Sequence, residues 1–208
     1  MKMPENKITT LFLDIGGVLL TNGWGHVFRK QVAEKFQLDY KGMNQRHKLL
    51  FVVFEEGRIT LEEYLNRIVF YKKRKFSPDQ FKDFMFSLTT ADTNMIALVK
   101  NLKAAYHLKI FAVSNKAKEL NEYRIHKFKL NGFIDFFIFF FYVQVKKPDA
   151  AIFRMALNGA QVQANQIVYI KDVEKFTQVA TDEGISSIWH KDYLSTARAL
   201  AGLGLTIK

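Results

Sequence analysis

The spacing of apolar positions changes along the chain and predicts its elements. A β-branched and apolar run at 8–13 predicts a buried strand. Across 25–88 the apolar residues recur at helical spacing instead. Two helix starts are marked, one by Thr60 with a glutamate three positions later and one by Ser77 before Pro78. The pattern therefore predicts one strand followed by four consecutive helices.

Beyond residue 92 helical and strand-like segments alternate, which is typical of a parallel sheet covered by helices. Further strands are predicted at 108–113, 133–139, 166–170 and 185–188. We expect a doubly wound, Rossmann-like α/β core formed by residues 1–22 and 89–208, with a small α-helical cap at 23–88. The phenylalanine-rich segment 136–142 is interpreted as a central strand and its exit, because parallel strands are commonly apolar on both faces.

Composition excludes several classes of protein. The 208 residues are 49% apolar and 25% charged, without cysteine, which argues against disorder and a disulfide framework. The longest apolar run, 136–143, is too short for a membrane helix, and no signal peptide is evident, so a cytoplasmic protein is expected. A net charge of +11 favours anionic partners. Basic clusters at 41–48 and 71–75 are better explained as solvated helix faces than as a nucleic-acid site.

Polar side chains follow the predicted strands at their carboxyl ends, where open parallel sheets bind ligands. Asp14 ends the first strand, Ser114 the second and Asp172 a later one, and Lys147 stands before a proline in the loop after the third. A carboxylate nucleophile, a hydroxyl, an ammonium and a second carboxylate are the groups that phosphoryl transfer needs. We therefore expect these residues to converge on a small anionic substrate.

These residues belong to four segments that resemble, in order, the motifs of the haloacid dehalogenase-like (HAD) superfamily. The segments are LFLDIGGV at 11–18, Val113-Ser114-Asn115, Lys147-Pro148-Asp149 and Ile170-Lys171-Asp172. The resemblance implies a hydrolase, specifically a magnesium-dependent phosphatase that acts on a small phosphorylated metabolite through a phosphoaspartyl intermediate on Asp14. It also identifies the helical insertion with the cap of that superfamily.

The resemblance assigns a role to each matching residue. The implied catalytic residues are Asp14 and Lys147. The implied phosphate-binding residues are Ser114, Asn115, Gly16, Gly17 and Lys147. The implied magnesium ligands are Asp14, the carbonyl of Gly16 and Asp172, a set of hard oxygen donors that suits this ion. Trp24, Arg29, Arg46 and Tyr71 are candidates for the cap side of the pocket.

Two residues depart from the pattern. Gly16 stands where phosphatases of this superfamily usually have a second aspartate that serves as general acid, a role worth roughly 100- to 10,000-fold in rate. Lys171 occupies a position that is often acidic, and an ammonium beside a divalent cation would weaken metal binding. Because neighbouring side chains in a strand point to opposite faces, we expect Lys171 to project away from the site. The alternative is that Lys171 points inward and its ammonium occupies the place of the metal.

Two other functions remain open at this point. Metal-free 2-haloacid dehalogenases of the same superfamily also lack the second aspartate and form an aspartyl ester at carbon. The combination of Gly16 and Lys171 is also compatible with a catalytically weakened protein that binds an anion or a protein partner. Neither the substrate nor the oligomeric state is predicted by the sequence.

Overall fold

The computed structural model describes residues 7–145 and 147–207, so residues 1–6 and 208 of the predicted core lie outside it. The strands described are β1 (Thr10–Leu13), β2 (Lys109–Ser114), β3 (Phe136–Phe139), β4 (Ile167–Lys171) and β5 (Ser186–Trp189). The α-helices described are α1 (His26–Lys35), α2 (Tyr40–Glu55), α3 (Leu61–Ile68), α4 (Pro78–Ser87), α5 (Thr93–Tyr106), α6 (Lys118–Lys127), α7 (Phe140–Val143), α8 (Ala151–Ala160), α9 (Glu174–Asp182) and α10 (Tyr193–Gly202). None of the described helices is long and apolar enough to cross a bilayer.

The five strands form one parallel sheet in the order β3-β2-β1-β4-β5. Strand β1 lies at the centre and is buried on both faces. Leu11 and Leu13 pack on one side with helix α5, whereas Phe12 packs on the other side with helix α8. This alternation places helices on both faces of the sheet. The predicted doubly wound α/β fold is therefore confirmed.

Helices α1 to α4 occupy the predicted cap segment, and their apolar cluster, which includes Tyr64, Leu65 and Phe81, also takes in Ala117 and Leu120 from the rest of the chain. The two helix starts marked in the sequence are real: the Thr60 and Ser77 side chains each accept a hydrogen bond from the backbone three residues later. The ends of the insertion lie side by side, because the Thr21 amide donates to the Thr90 carbonyl at 2.9 Å.

The interpretation of 136–142 as a central strand is wrong. Strand β3 lies at the edge of the sheet, paired only with β2 among the described strands, and the chain then enters the short helix α7. An edge strand is covered on fewer sides, and accordingly Phe136 at the start of β3 is 52% exposed, while Tyr142 on α7 is 65% exposed. The apolar run reflects burial that increases along β3 and continues through Phe140 and Phe141 rather than a central position.

Candidate active site

The predicted residues meet at the carboxyl edge of the sheet. Asp14 follows β1, Ser114 ends β2 and Lys171 ends β4, and these are the three adjacent central strands. The loop after α7 brings Lys147 to the same edge, where its Nζ lies 2.5 Å from Asp14 Oδ2. Both side chains of this ion pair are almost completely buried. The spatial convergence predicted for Asp14 and Lys147 is therefore present.

The Asp14 carboxylate is held in its ionised form. Burial alone would raise its pKa, but the charges of Lys147 and Lys171 outweigh burial and bring the pKa well below its usual range. Its two oxygen atoms differ in environment. Oδ2 contacts both ammonium groups, whereas Oδ1 accepts only a long backbone hydrogen bond, from Gly16 at 3.3 Å. Oδ1 is therefore the less encumbered oxygen and the better placed to attack an electrophile.

Lys147 is fixed by hydrogen bonds at its ammonium and at its backbone. Its Nζ donates to the Val113 carbonyl at 2.6 Å, in addition to its ion pair with Asp14. Burial lowers the pKa of Lys147 to about 8. The Asn115 side chain accepts from the Lys147 amide at 3.1 Å and donates to its carbonyl at 2.9 Å. Asn115 therefore positions the lysine, and its part in phosphate binding stays a prediction.

Lys171 points into the site, so the expectation that it projects away is wrong. Its Nζ lies 2.8 Å from Asp14 Oδ2 and 3.5 Å from the Gly16 carbonyl oxygen, and it also forms an ion pair with Asp172. Strand β4 ends at Lys171, so strand alternation no longer separates this side chain from the next. Burial would lower its pKa, but the Asp14 and Asp172 carboxylates raise it, so the side chain stays cationic.

The predicted magnesium site therefore does not fit the residues present. The three oxygen donors assigned to the metal, on Asp14, Gly16 and Asp172, are the three groups that the Lys171 ammonium contacts. A cation placed among them would compete with a fixed positive charge for the same oxygens. Within the described residues, no cluster of three or more histidine, cysteine or acidic side chains offers an alternative. Lys171 takes the place that the metal would need.

The glycine turn after Asp14 is required by the space around it. Gly17 has φ of +78°, and a Cβ built there would lie 2.1 Å from Asp172 Oδ2, so a side chain at this position would displace that carboxylate. Asn22 donates to the same oxygen at 2.8 Å. Asp172 is thus held by Lys171, Asn22 and the turn.

Ser114 at the end of β2 is fully buried, and its Oγ accepts a hydrogen bond from the Lys116 amide at 3.4 Å.

Sequence reasoning missed Asn22, Lys116 and Arg124. Lys116 follows the second motif directly, and its position two residues after Ser114 could have indicated that it lies near the site. Its ammonium lies 3.9 Å from Glu55 on the helical insertion, and burial lowers its pKa. Arg124 lies on α6 with its side chain fully buried, and no local pattern distinguishes it from the neighbouring surface lysines.

An open cleft of about 810 Å³ adjoins the site and is lined in part by Gly17, Asn22, Gly23, Lys116 and Asp172. The four cap residues predicted to line the pocket are absent from this lining. Trp24 Nε1 donates to the Tyr64 hydroxyl at 2.7 Å inside the helical cluster, and Arg29 donates to the Trp24 carbonyl at 2.6 Å. Arg46 stacks 3.9 Å above the Tyr71 ring. These contacts hold the four residues within the helical insertion.

The fold and the ordered motifs define a hydrolase of the HAD type, and comparison with known proteins agrees. The family model for haloacid dehalogenase-like hydrolases matches residues 25–190. The chain therefore belongs to the haloacid dehalogenase-like hydrolase family, as its motifs predicted. No curated protein matches the chain.

Solved structures share the fold at low sequence identity. A HAD family enzyme from Bacteroides thetaiotaomicron in complex with magnesium and inorganic phosphate has a TM-score of 0.71 at 22% identity, covering 88% of this chain and 94% of that one. A HAD phosphatase from Thermococcus onnurineus has a TM-score of 0.65 at 13% identity, covering 94% and 99%. The L-2-haloacid dehalogenase from Xanthobacter autotrophicus with covalently bound chloropropionic acid has a TM-score of 0.61 at 14% identity, covering 96% and 85%.

Proposed function

We propose that the protein is a phosphomonoester hydrolase that uses Asp14 as its nucleophile and the ammonium of Lys171 in place of a divalent cation. The observation that carries this proposal is the buried Asp14 carboxylate, held between Lys147 and Lys171 at 2.5 Å and 2.8 Å. An anionic nucleophile attacks an anionic phosphoryl group only where positive charge offsets their repulsion. Two fixed ammonium groups supply that charge.

The charge balance of the site favours a phosphoryl group over a singly charged substrate. Lys116, Lys147, Lys171 and Arg124 are the cations around Asp14 and Asp172, and all four interact electrostatically with Asp14. Their charge exceeds that of the two carboxylates, even after the partial pairing of Lys116 with the insertion. The surplus suits a phosphate dianion, which also accepts several hydrogen bonds.

The chemistry proceeds in two displacements. Asp14 Oδ1 attacks phosphorus, the bond from phosphorus to the leaving oxygen breaks, and its electron pair departs with that oxygen. Lys147 and Lys171 stay protonated and offset the charge on the transferring group. Water then attacks the phosphorus of the aspartyl phosphate, losing a proton to solvent, which releases phosphate and regenerates the carboxylate. The buried hydroxyl of Ser114 and the amides of the glycine turn are the donors for the phosphoryl oxygens.

The test is turnover of a panel of phosphate monoesters in EDTA and in magnesium, with the wild type and Asp14→Asn. We expect turnover in EDTA and a loss of at least ~1,000-fold in the variant. Mass spectrometry of the rapidly quenched wild type should show a phosphoryl group on the peptide that contains Asp14. Undiminished turnover by Asp14→Asn would show that Asp14 is not the nucleophile. Activity only in the presence of magnesium would show that Lys171 does not replace a divalent cation.

A dehalogenase is the second candidate, favoured by one observation. Lys171 lies where a metal would bind and Gly16 provides no acid, and displacement of halide from carbon needs neither. The structural relative from Xanthobacter carries a covalent adduct of chloropropionic acid. Chloride release from short 2-haloacids, together with no release of phosphate from the ester panel, would select this function.

A further inference from the structure

Arg124 is a buried cation with unused hydrogen-bond donors. Its side chain is fully buried, and Nη2 donates to the Thr21 carbonyl at 2.8 Å. Nε and Nη1 have no hydrogen-bond partner among the described residues. Burying a guanidinium with two unpaired nitrogen atoms is costly unless an anion offsets its charge. Asp14 offsets part of this charge, and the two unpaired nitrogen atoms remain available to a further anion.

Two glycines make room for this guanidinium at the edge of the active site. A Cβ on Gly16 would lie 3.5 Å from Arg124 Nη1, and a Cβ on Gly23 would lie 2.2 Å from Nη2. Gly16 is two residues from the nucleophile and Gly23 lines the open cleft. Arg124 is thus buried next to the Gly16 turn and to Gly23, and its charge acts on the Asp14 carboxylate.

The bond that breaks is expected between Asp14 and the cleft, near Gly23. The two ammonium groups beside Asp14 hold the phosphoryl group, and the rest of the substrate extends into the cleft because that is the open space next to the site. The leaving oxygen therefore departs past Gly23, behind which the buried guanidinium lies within electrostatic reach. Burial lowers the pKa of Arg124 only to about 10, so it remains a cation at neutral pH and is a poor proton donor. A cation of this kind stabilises a departing oxygen that keeps its negative charge.

Building on the proposed function, we propose that Arg124 stabilises an anionic leaving group by its charge, so that the enzyme prefers phosphoryl compounds whose leaving oxygen is weakly basic, acyl phosphates above all. Asp14 Oδ1 forms its bond to phosphorus while the phosphorus–oxygen bond of the substrate breaks, and the electron pair departs on a carboxylate. No proton is needed at this step. The missing acid at Gly16 is then a feature of substrate selection.

The experiment measures kcat/KM for acetyl phosphate, glycerol phosphate and a series of phenyl phosphates with phenols of increasing basicity. The wild type should turn over acetyl phosphate at least ~100-fold faster than glycerol phosphate, since no general acid assists the alkoxide. Arg124→Met should lose about 10-fold on the best phenol leaving group and ~100-fold on the worst, which steepens the dependence on leaving-group basicity. Arg124→Lys should restore part of the wild-type slope.

Arg154→Met is the matched control, because this arginine is largely exposed and pairs with Glu183 on the surface. It should leave the slope and the rates unchanged. A uniform loss across the series in Arg124→Met would mean that the residue has only a structural role, and would overturn the proposal. Comparable wild-type rates on glycerol and acetyl phosphate would overturn the substrate class.

The outcomes for this proposal and for the proposed function are distinguishable. Absence of turnover on every phosphoryl compound would reject both, whereas turnover with an unchanged slope would reject only the role of Arg124. If Arg124→Met fails to fold by circular dichroism, Arg124→Lys is the remaining test. Its slope should be steeper than that of the wild type, and an equal or shallower slope would contradict the role of Arg124. The wild-type preference tests the substrate class without any variant.

Discussion

Replacing Lys171 by aspartate would remove the ammonium that contacts Asp14, Gly16 and Asp172, and would add a carboxylate beside the same oxygens. Magnesium bonded to these oxygens would lie within ~3 Å of the ammonium nitrogen in the wild type. At an effective dielectric constant of ~20, the repulsion between a unit charge and a divalent charge at that distance is about 11 kcal/mol. This corresponds to about eight powers of ten in Kd.

We therefore expect the wild type to show no magnesium binding by titration calorimetry, and Lys171→Asp to bind the ion. Without metal, the variant should be less stable than the wild type, because its carboxylates repel one another. At a magnesium concentration ~100-fold above Kd, binding should stabilise the folded variant by about 2.7 kcal/mol. Thermal unfolding with and without magnesium measures this difference independently of any activity.

Two controls separate metal binding from a general change in charge. Lys175→Asp makes the same charge change at an exposed position on α9 and should not bind magnesium. Lys171→Met removes the ammonium without adding a ligand and should lose activity while gaining little affinity for metal. Micromolar magnesium binding by the wild type, or wild-type activity that EDTA abolishes, would refute the assignment of Lys171 to the metal position.

Three further predictions follow from the site and the cap. Because the pKa of Lys147 is about 8, kcat/KM should fall about tenfold per pH unit above pH 8 as the ammonium deprotonates. In Lys147→Arg this fall in kcat/KM should begin only above pH 10, and a wild-type profile that is flat up to pH 10 would contradict the prediction. Gly17→Ala should destabilise the protein by about 1–3 kcal/mol in denaturant unfolding, because its Cβ would overlap Asp172, whereas Gly132→Ala, with open space around it, should change stability by less than about 0.5 kcal/mol. Burial lowers the pKa of His47 to about 3, so as pH falls below 6.5 the imidazole is protonated in the unfolded chain before it is protonated in the folded one. Tm should therefore decline between pH 6.5 and pH 3. If His47→Gln showed the same decline as the wild type, His47 would not be its cause.

Much of the fold could be predicted because its signals are local. The run before Asp14 contains only apolar and threonine residues, which suits a strand buried on both faces, and Thr60 and Ser77 cap their helices through atoms three residues away. The order of the motifs likewise placed Asp14 and Lys147 at one sheet edge, since parallel strands end on the same side. The position of β3 at the edge of the sheet could not be predicted from the local sequence, because the order of the strands depends on which strand each connecting segment leads to.

The sequence by itself determined the parallel α/β core, the Asp14 carboxylate at a strand end and the absence of an acidic side chain at Gly16. Only the tertiary structure decided what surrounds that carboxylate. Lys171 turns inward because carboxylates from two strands attract its ammonium, and Arg124 reaches the site from a helix more than a hundred positions beyond the Thr21 carbonyl it contacts. Electrostatic attraction and available space act between chain segments, and a one-dimensional pattern carries neither distance nor volume.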